Sequence, residues 1–173
     1  MSELRSAVLL GRLSRTARIQ TLPDLRPENG DQRMTYRFTV YGTPQPKGRP
    51  RFNRRTGTAY TPRNTHVYET EVKAYFLTKY PHHKVLDTPL AVRIDAYFEP
   101  AKSTSKRVRE MMLAGQIRPV KKPDADNIIK SICDALNGIA YVDDSQIVCI
   151  SCRKLYSDKA RAEVTITELE RPL

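Results

Sequence analysis

The chain has 173 residues and a net charge of +11, with 30 lysines and arginines against 19 aspartates and glutamates. This length favours one domain with a real core, and no apolar run approaches the roughly 20 residues of a membrane span. The three cysteines lie close together in sequence, which implies no disulfide framework and favours a reducing, intracellular compartment. The excess of basic residues favours a nucleic-acid partner.

The first 33 residues differ from the rest. Arginines punctuate a weakly amphipathic stretch, and a segment rich in proline, glycine and asparagine follows from Leu22 to Asp31. We expect residues 1–33 to form an N-terminal extension that is flexible or results from an upstream start, with Met34 as the alternative first residue. A transit peptide is a further alternative. The extension holds six basic and four acidic residues, so most of the positive charge belongs to the predicted domain, residues 34–173.

The remaining chain alternates between strand and helix patterns. Strands are predicted over 36–42, 90–98, 147–155 and 161–168, helices over 66–80, 106–113 and 127–137, and a long loop over 43–61. These elements predict a small α+β domain in which about three helices pack with a mixed or antiparallel sheet of about four strands. No glycine-rich phosphate loop is present, so we expect no nucleotide cofactor.

Five aspartates fall between positions 124 and 144, a local excess of acid that needs a reason in a basic chain. Asp124 and Asp126 form a D-x-D pair at the start of the third predicted helix, where both carboxylates can be aimed the same way. Asp144 follows the helix and reaches the pair only if the chain folds back along it. Three converging carboxylates suit Mg²⁺ or Mn²⁺ beside a polyanion, which indicates phosphoryl-transfer chemistry on nucleic acid.

Lys130 follows Asp126 by one helical turn and so lies on the same helical face. Near a metal site its ammonium could hold a phosphate oxygen or stabilise transition-state charge. Each residue alone also has a structural explanation. Asp126 suits a helix N-cap or a surface pair with Lys130, Asp143 and Asp144 suit a turn, and Asp134 suits an ion pair with Lys130.

Two stretches of the chain are rich in basic residues. The first, from Gly42 to Tyr68, contains no acidic residue, and the second ends directly before Asp124. Basic side chains in such places neutralise phosphates, and Phe52 and Tyr60 within the first stretch could stack on bases or wedge between them. The predicted DNA-binding residues are Lys47, Arg49, Arg51, Arg54, Arg55, Lys121 and Lys122.

The order D-x-D-N-x-x-K, then D-A-L-N-G, then D-D-x-Q-I, resembles the RusA family of Holliday junction resolvases, and P-Q-P-K-G-R-P-R-F resembles its phage and prophage branch. The resemblance runs from about Met34 to the C-terminus. It implies a homodimeric, Mg²⁺-dependent endonuclease that cuts four-way DNA junctions by paired nicks in recombination and repair, in the cytoplasm of a bacterial or phage-infected cell. By motif match, Asp124, Asp126 and Asp144 take the catalytic metal-ligand positions and Lys130 takes the functional lysine.

Two rival hypotheses remain. In the first, the protein binds DNA without cutting it, and its aspartates serve as helix caps and turn residues. In the second, it is a metal-dependent nuclease that prefers other branched DNA, such as flaps or forks. A Mg²⁺ titration of junction cleavage separates the enzyme from the non-enzymatic binder, and a comparison of substrates separates the two nucleases.

Overall fold

The structure, a computed structural model, describes residues 33–60 and 62–170. The predicted extension, except for Arg33, lies outside the described residues. The elements in chain order are β1 (Thr35–Tyr41), β2 (Arg51–Asn53), β3 (Thr58–Tyr60), α1 (Arg63–Lys79), β4 (Leu90–Phe98), α2 (Lys106–Leu113), α3 (Ala125–Leu136), the 3₁₀ helix η1 (Asp144–Gln146), β5 (Ile147–Tyr156) and β6 (Arg161–Glu168). None of the described helices combines the length and the apolar character needed to cross a membrane.

Four strands form the main sheet in the order β1-β6-β4-β5. β6 pairs antiparallel with both β1 and β4, whereas β4 and β5 run parallel. The predicted α+β class with a mixed four-stranded sheet is therefore confirmed. Because β4 and β5 are parallel, the chain between them must cross over the sheet, and this crossover contains α2, α3 and η1.

The hydrophobic core lies between one face of this sheet and the helices α1 and α3. Alternate residues of the strands point into it, and aromatic side chains fill the side near β1. Phe76 of α1 meets Phe38 at a ring-centroid distance of 5.5 Å and Tyr36 at 5.4 Å, both edge-to-face. From α3, Ile128, Ile132 and Leu136 are fully buried against the same cluster. α3 is thereby fixed along the sheet by one apolar stripe.

The opposite face of the sheet carries paired charges. Asp95 of β4 is 7% exposed, and its carboxylate accepts from Arg153 on β5 at 2.6 and 2.8 Å and from Arg93 at 3.2 Å. Burial acts to raise the pKa of Asp95, but these two guanidinium groups hold it below its usual value. The ion pairs tie β5, an edge strand, to its neighbour.

A small hairpin lies within the region predicted as a long loop. β2 and β3 pair antiparallel, with Phe52 opposite Ala59. The side-chain carbonyl of Asn53 accepts from the Arg55 backbone N–H at 2.9 Å, and Gly57 takes a φ of 67° that closes the turn. The prediction of an unbroken loop was wrong here, because three-residue strands leave no clear periodicity.

The bounds of two helices differ from the predictions. α1 begins at Arg63, three residues earlier than predicted, and Thr65 lies inside it, where its buried hydroxyl accepts from the Gly48 N–H at 3.0 Å. α3 begins at Ala125 with Asp124 as its N-cap. Asp126 therefore lies in the first turn of the helix rather than at its cap.

Candidate active site and nucleic-acid interface

Two carboxylates project from the N-terminus of α3. Asp124 has the extended backbone of an N-cap but its side chain makes no capping hydrogen bond, and Asp126 follows in the first turn. Both residues are exposed, and within the described chain neither side chain has a hydrogen-bond or ion-pair partner. The free N–H groups of the helix end favour negative charge here. The purely structural explanation of Asp126 as a cap or an ion-pair partner is not supported.

The segment that leads into α3 is held by Lys154 of β5. Its ammonium donates to the carbonyl of Lys121 at 2.7 Å and to that of Pro123 at 2.9 Å. These two bonds place the D-x-D pair against the end of β5. Sequence reasoning missed Lys154. The signal was a lysine on the same strand face as Ile150 and Cys152, where an apolar side chain is expected.

Lys130 lies one turn beyond Asp126, is exposed, and makes no ion pair in the described chain. The predicted structural partner of Lys130, Asp134, instead binds Lys47 at 3.0 Å. An unpaired cation thus stands on the helical face that carries an unpaired carboxylate. The N-terminal half of α3 therefore presents both charges to solvent.

Lys47 lies between α1 and α3. Its ammonium forms ion pairs with Glu69 of α1 and Asp134 of α3, and its backbone N–H donates to the Asn127 carbonyl at 2.8 Å. The Lys47 side chain is only 24% exposed. Partial burial acts to lower its pKa, but the two carboxylates raise it above the ordinary value. The structure therefore places this predicted DNA-binding residue in a clamp between two helices.

Asp144 begins η1, directly after its N-cap Asp143, and its charge acts on Cys133 in the C-terminal half of α3. The Asp143 carboxylate accepts from the Ser145 hydroxyl at 2.6 Å, and from the side chain of Asn137, the C-cap of α3. These bonds lower the pKa of Asp143. Within residues 33–60 and 62–170, no three His, Cys, Asp or Glu side chains are grouped closely enough to hold a metal ion. The required convergence of Asp144 with Asp124 and Asp126 is absent from this arrangement.

The other predicted DNA-binding residues lie mostly on the surface. Exposed basic side chains without a partner in the described chain are Arg49, Arg54, Arg55, Lys121 and Lys122. Arg51 belongs to β2. All four arginines lie in or next to the hairpin, and only Pro123 separates the two lysines from Asp124. The accessible charge is thus divided between the hairpin and the entrance to α3.

Comparisons with known proteins reveal one matching family and similar sequences. A family model described as endodeoxyribonuclease RusA matches residues 41–167. This span is narrower than the resemblance predicted from the sequence, which runs from about Met34 to the C-terminus. A protein of Bacillus subtilis (strain 168), described as uncharacterized protein YqaN, is 36% identical over 137 residues, 77% of this chain and 96% of that protein. A crossover junction endodeoxyribonuclease RusA of Lactococcus phage r1t is 41% identical over 49 residues, 28% of this chain and 37% of the relative.

The family match covers the D-x-D pair, Lys130, Asp144 and all seven predicted DNA-binding residues. It contradicts the rival hypothesis of a protein that binds DNA without cutting it. The chain belongs to the RusA family of endodeoxyribonucleases.

Proposed function

We propose that this protein resolves four-way DNA junctions by paired nicks, with Mg²⁺ or Mn²⁺ as cofactor, in DNA recombination and repair. Membership of the family supports the chemistry, and the name of the Lactococcus phage relative specifies crossover junctions. The observation that carries the proposal is a pair of exposed carboxylates at the start of α3 that have no partner within residues 33–60 and 62–170, with Lys121 and Lys122 exposed beside them.

The chemistry of this donor set fits a hard divalent cation. Asp124 and Asp126 offer carboxylate oxygens with no competing partner in the described chain. A bound ion would supply Lewis acidity and a water of lowered pKa. Lys121 and Lys122 draw the phosphate backbone towards the pair. Lys130 holds a phosphate oxygen and stabilises the negative charge that develops during phosphodiester cleavage.

Asp144 is assigned as the third ligand by its place in the D-D-x-Q-I motif. Its charge acts on Cys133 and Tyr141, near the C-terminal half of α3, and it forms no closely grouped set with Asp124 and Asp126 among the described residues. The assignment therefore needs its own test. We expect Asp144→Asn to retain junction binding and lose cleavage, and wild-type cleavage rates in this variant would remove Asp144 from the site.

Two symmetric nicks need two active sites, so we propose a homodimer as the functional unit. Each protomer contributes the domain formed by residues 34–173, with residues 1–33 as an extension outside it. The proposed location is the cytoplasm of a bacterial or phage-infected cell, where branched DNA is the substrate.

The proposal is tested with an immobile four-way junction, with linear duplex, flap and fork DNA as comparison substrates, each with and without Mg²⁺. We expect the junction to be cut fastest, and only with metal. Asp126→Asn should bind the junction as tightly as wild type and fail to cut it. The matched control is Asp158→Asn, an exposed aspartate paired with Arg109 at 3.1 Å, which should cut normally.

Three results would contradict the proposal. Normal cleavage by Asp126→Asn would remove the carboxylate pair from the reaction. Equal cleavage of junction and linear duplex would remove the structural selectivity. Faster cutting of flaps or forks would instead support the remaining rival, a nuclease for other branched DNA.

A further inference from the structure

The β2–β3 hairpin carries a large aromatic side chain that is mostly exposed to solvent. Phe52 is 65% exposed, and it makes no ring contact in the part of the chain that the structure describes. Directly across the hairpin stands Ala59, whose side chain is too small to cover the ring. A phenylalanine that stays exposed to water forgoes the favourable free energy of burying its apolar surface. A single exposed apolar residue is ordinary on a protein surface, so its surroundings must decide whether it has a partner.

The surroundings of Phe52 are cationic. Arg49 precedes it, Arg54 and Arg55 form the turn, and all three are exposed without a side-chain partner in the described chain. No acidic residue occurs between Gly42 and Tyr68. A protein groove that accepts a phenylalanine is usually apolar, and these arginines would lose hydration there without compensation. A nucleic-acid strand satisfies both groups, because its bases stack on aromatic rings and its phosphates bind arginine.

The hairpin is also tethered close to the proposed active site by the segment that precedes it. The Lys47 N–H donates to Asn127 of α3 at 2.8 Å, and the Gly48 N–H to the hydroxyl of Thr65 at 3.0 Å. Phe52 follows Lys47 by five residues, so its backbone lies at most about 18 Å from this anchor. Successive nucleotides of one strand rise about 3.4 Å along duplex DNA. The ring therefore lies within about five nucleotides of the N-terminal half of α3.

We propose that Phe52 stacks on a base left unstacked at the branch point of the DNA substrate, while Arg54 and Arg55 hold the flanking phosphates. This inference rests on the proposed function, since a continuous duplex offers no such base without the cost of unstacking. The hairpin is then the element that recognises the branch, separate from the carboxylates that act on the phosphate.

The test uses the full chain with Asp126→Asn, so that the DNA stays intact, and an immobile four-way junction with 2-aminopurine at each branch-point position in turn. Phe52→Leu keeps an apolar side chain and removes the ring, whereas Phe52→Tyr keeps the ring. We expect Phe52→Leu to weaken junction binding roughly 5- to 100-fold and to abolish the fluorescence change at the branch point. Phe52→Tyr should retain both.

The result that overturns the inference is equal binding and equal fluorescence change for Phe52→Leu and Phe52→Tyr. Sedimentation velocity of DNA-free protein provides a second test. If Phe52→Leu shifts the mass of the particle while Phe52→Tyr does not, the ring lies in an interface between protein chains and the proposal is wrong. Failure of the proposed function looks different, because then Asp126→Asn with native Phe52 shows no preference for the junction over linear duplex.

Discussion

Replacing Lys47 with methionine distinguishes a structural role of this lysine, in ion pairs between α1 and α3, from a role in binding DNA phosphates. The side chains of Lys47, Glu69 and Asp134 are 24%, 17% and 25% exposed, so the cluster lies between a surface ion pair, worth up to about 1 kcal/mol, and a buried one, whose disruption costs about 3–5 kcal/mol. Methionine keeps the length of the side chain and leaves two carboxylates facing each other. We expect the free energy of unfolding to fall by about 2 kcal/mol, which corresponds to a drop in Tm of roughly 5–10 °C.

The pH dependence of this loss is also set by the structure. A lysine whose pKa is raised by folding stabilises the protein fully below its ordinary value of 10.5 and loses that effect as pH rises through the folded pKa. The difference in unfolding free energy between wild type and Lys47→Met should therefore be constant around neutral pH and shrink above about pH 10.5. Urea unfolding at a series of pH values measures it. Adding Asp134→Asn to Lys47→Met should restore part of the lost stability.

The salt dependence of DNA binding tests whether Lys47 has only this structural role. Because two carboxylates already neutralise Lys47, its replacement should leave the salt dependence of junction binding almost unchanged. Arg49→Ala removes an exposed cation that has no partner among the described residues, and it should lower the slope of log K against log salt by about one. If Lys47→Met lowers this slope by about one and leaves Tm unchanged, Lys47 is a phosphate contact and the clamp reasoning fails.

Three further predictions follow from buried or close-packed sites. Asp95→Asn should lower the free energy of unfolding by about 2 kcal/mol at neutral pH. Because the pKa of Asp95 is lowered in the folded protein, this loss should shrink as pH falls below about 4. A difference between wild type and Asp95→Asn that does not change with pH would contradict this. Gly48→Ala puts a Cβ 2.8 Å from the Thr65 hydroxyl oxygen and should lower the free energy of unfolding by about 1–3 kcal/mol, as measured by urea unfolding. The control is Gly57→Asn, whose Cβ meets no atom within 4 Å. It should change the free energy of unfolding by less than about 0.5 kcal/mol. Burial raises the pKa of the Cys133 thiol to about 12, so Cys133 should not react with Ellman's reagent in the folded protein. Cys133→Ala should therefore leave the number of thiols that react before unfolding unchanged. If the variant shows one reactive thiol fewer than wild type, Cys133 lies at the surface.

Strands and helices with long periodic patterns could be predicted from the sequence. β4 and β6 have the bounds that their alternating residues indicate, and α2 begins and ends as predicted. The hairpin could not be predicted, because its strands of three residues carry no period. α3 begins two residues before the prediction, since Asp124 and Asp126 are equally good N-cap residues by type.

Contacts between distant parts of the chain were beyond sequence reasoning. Lys47 is 22 residues from Glu69 and still farther from Asp134, and nothing local distinguishes it from the neighbouring exposed arginines. The position of Asp144 depends on how the chain reverses after Asn137, which periodicity does not describe. The motif predicted which residue types belong together, and the path of the backbone decides which of them meet.

The order of the strands has a consequence for synthesis of the protein. β6, the last strand in the chain, lies between β1 and β4, so the centre of the sheet is empty until residues 161–168 leave the ribosome. β1 must wait for a partner 120 to 132 residues away in the sequence, and such non-local pairing forms slowly. α3 contacts α1 and β5, which precede β6 in the chain, but the apolar cluster beneath it also contains Ala162, Val164 and Ile166 of β6. The core that supports the site residues of α3 is therefore complete only after β6 has been made.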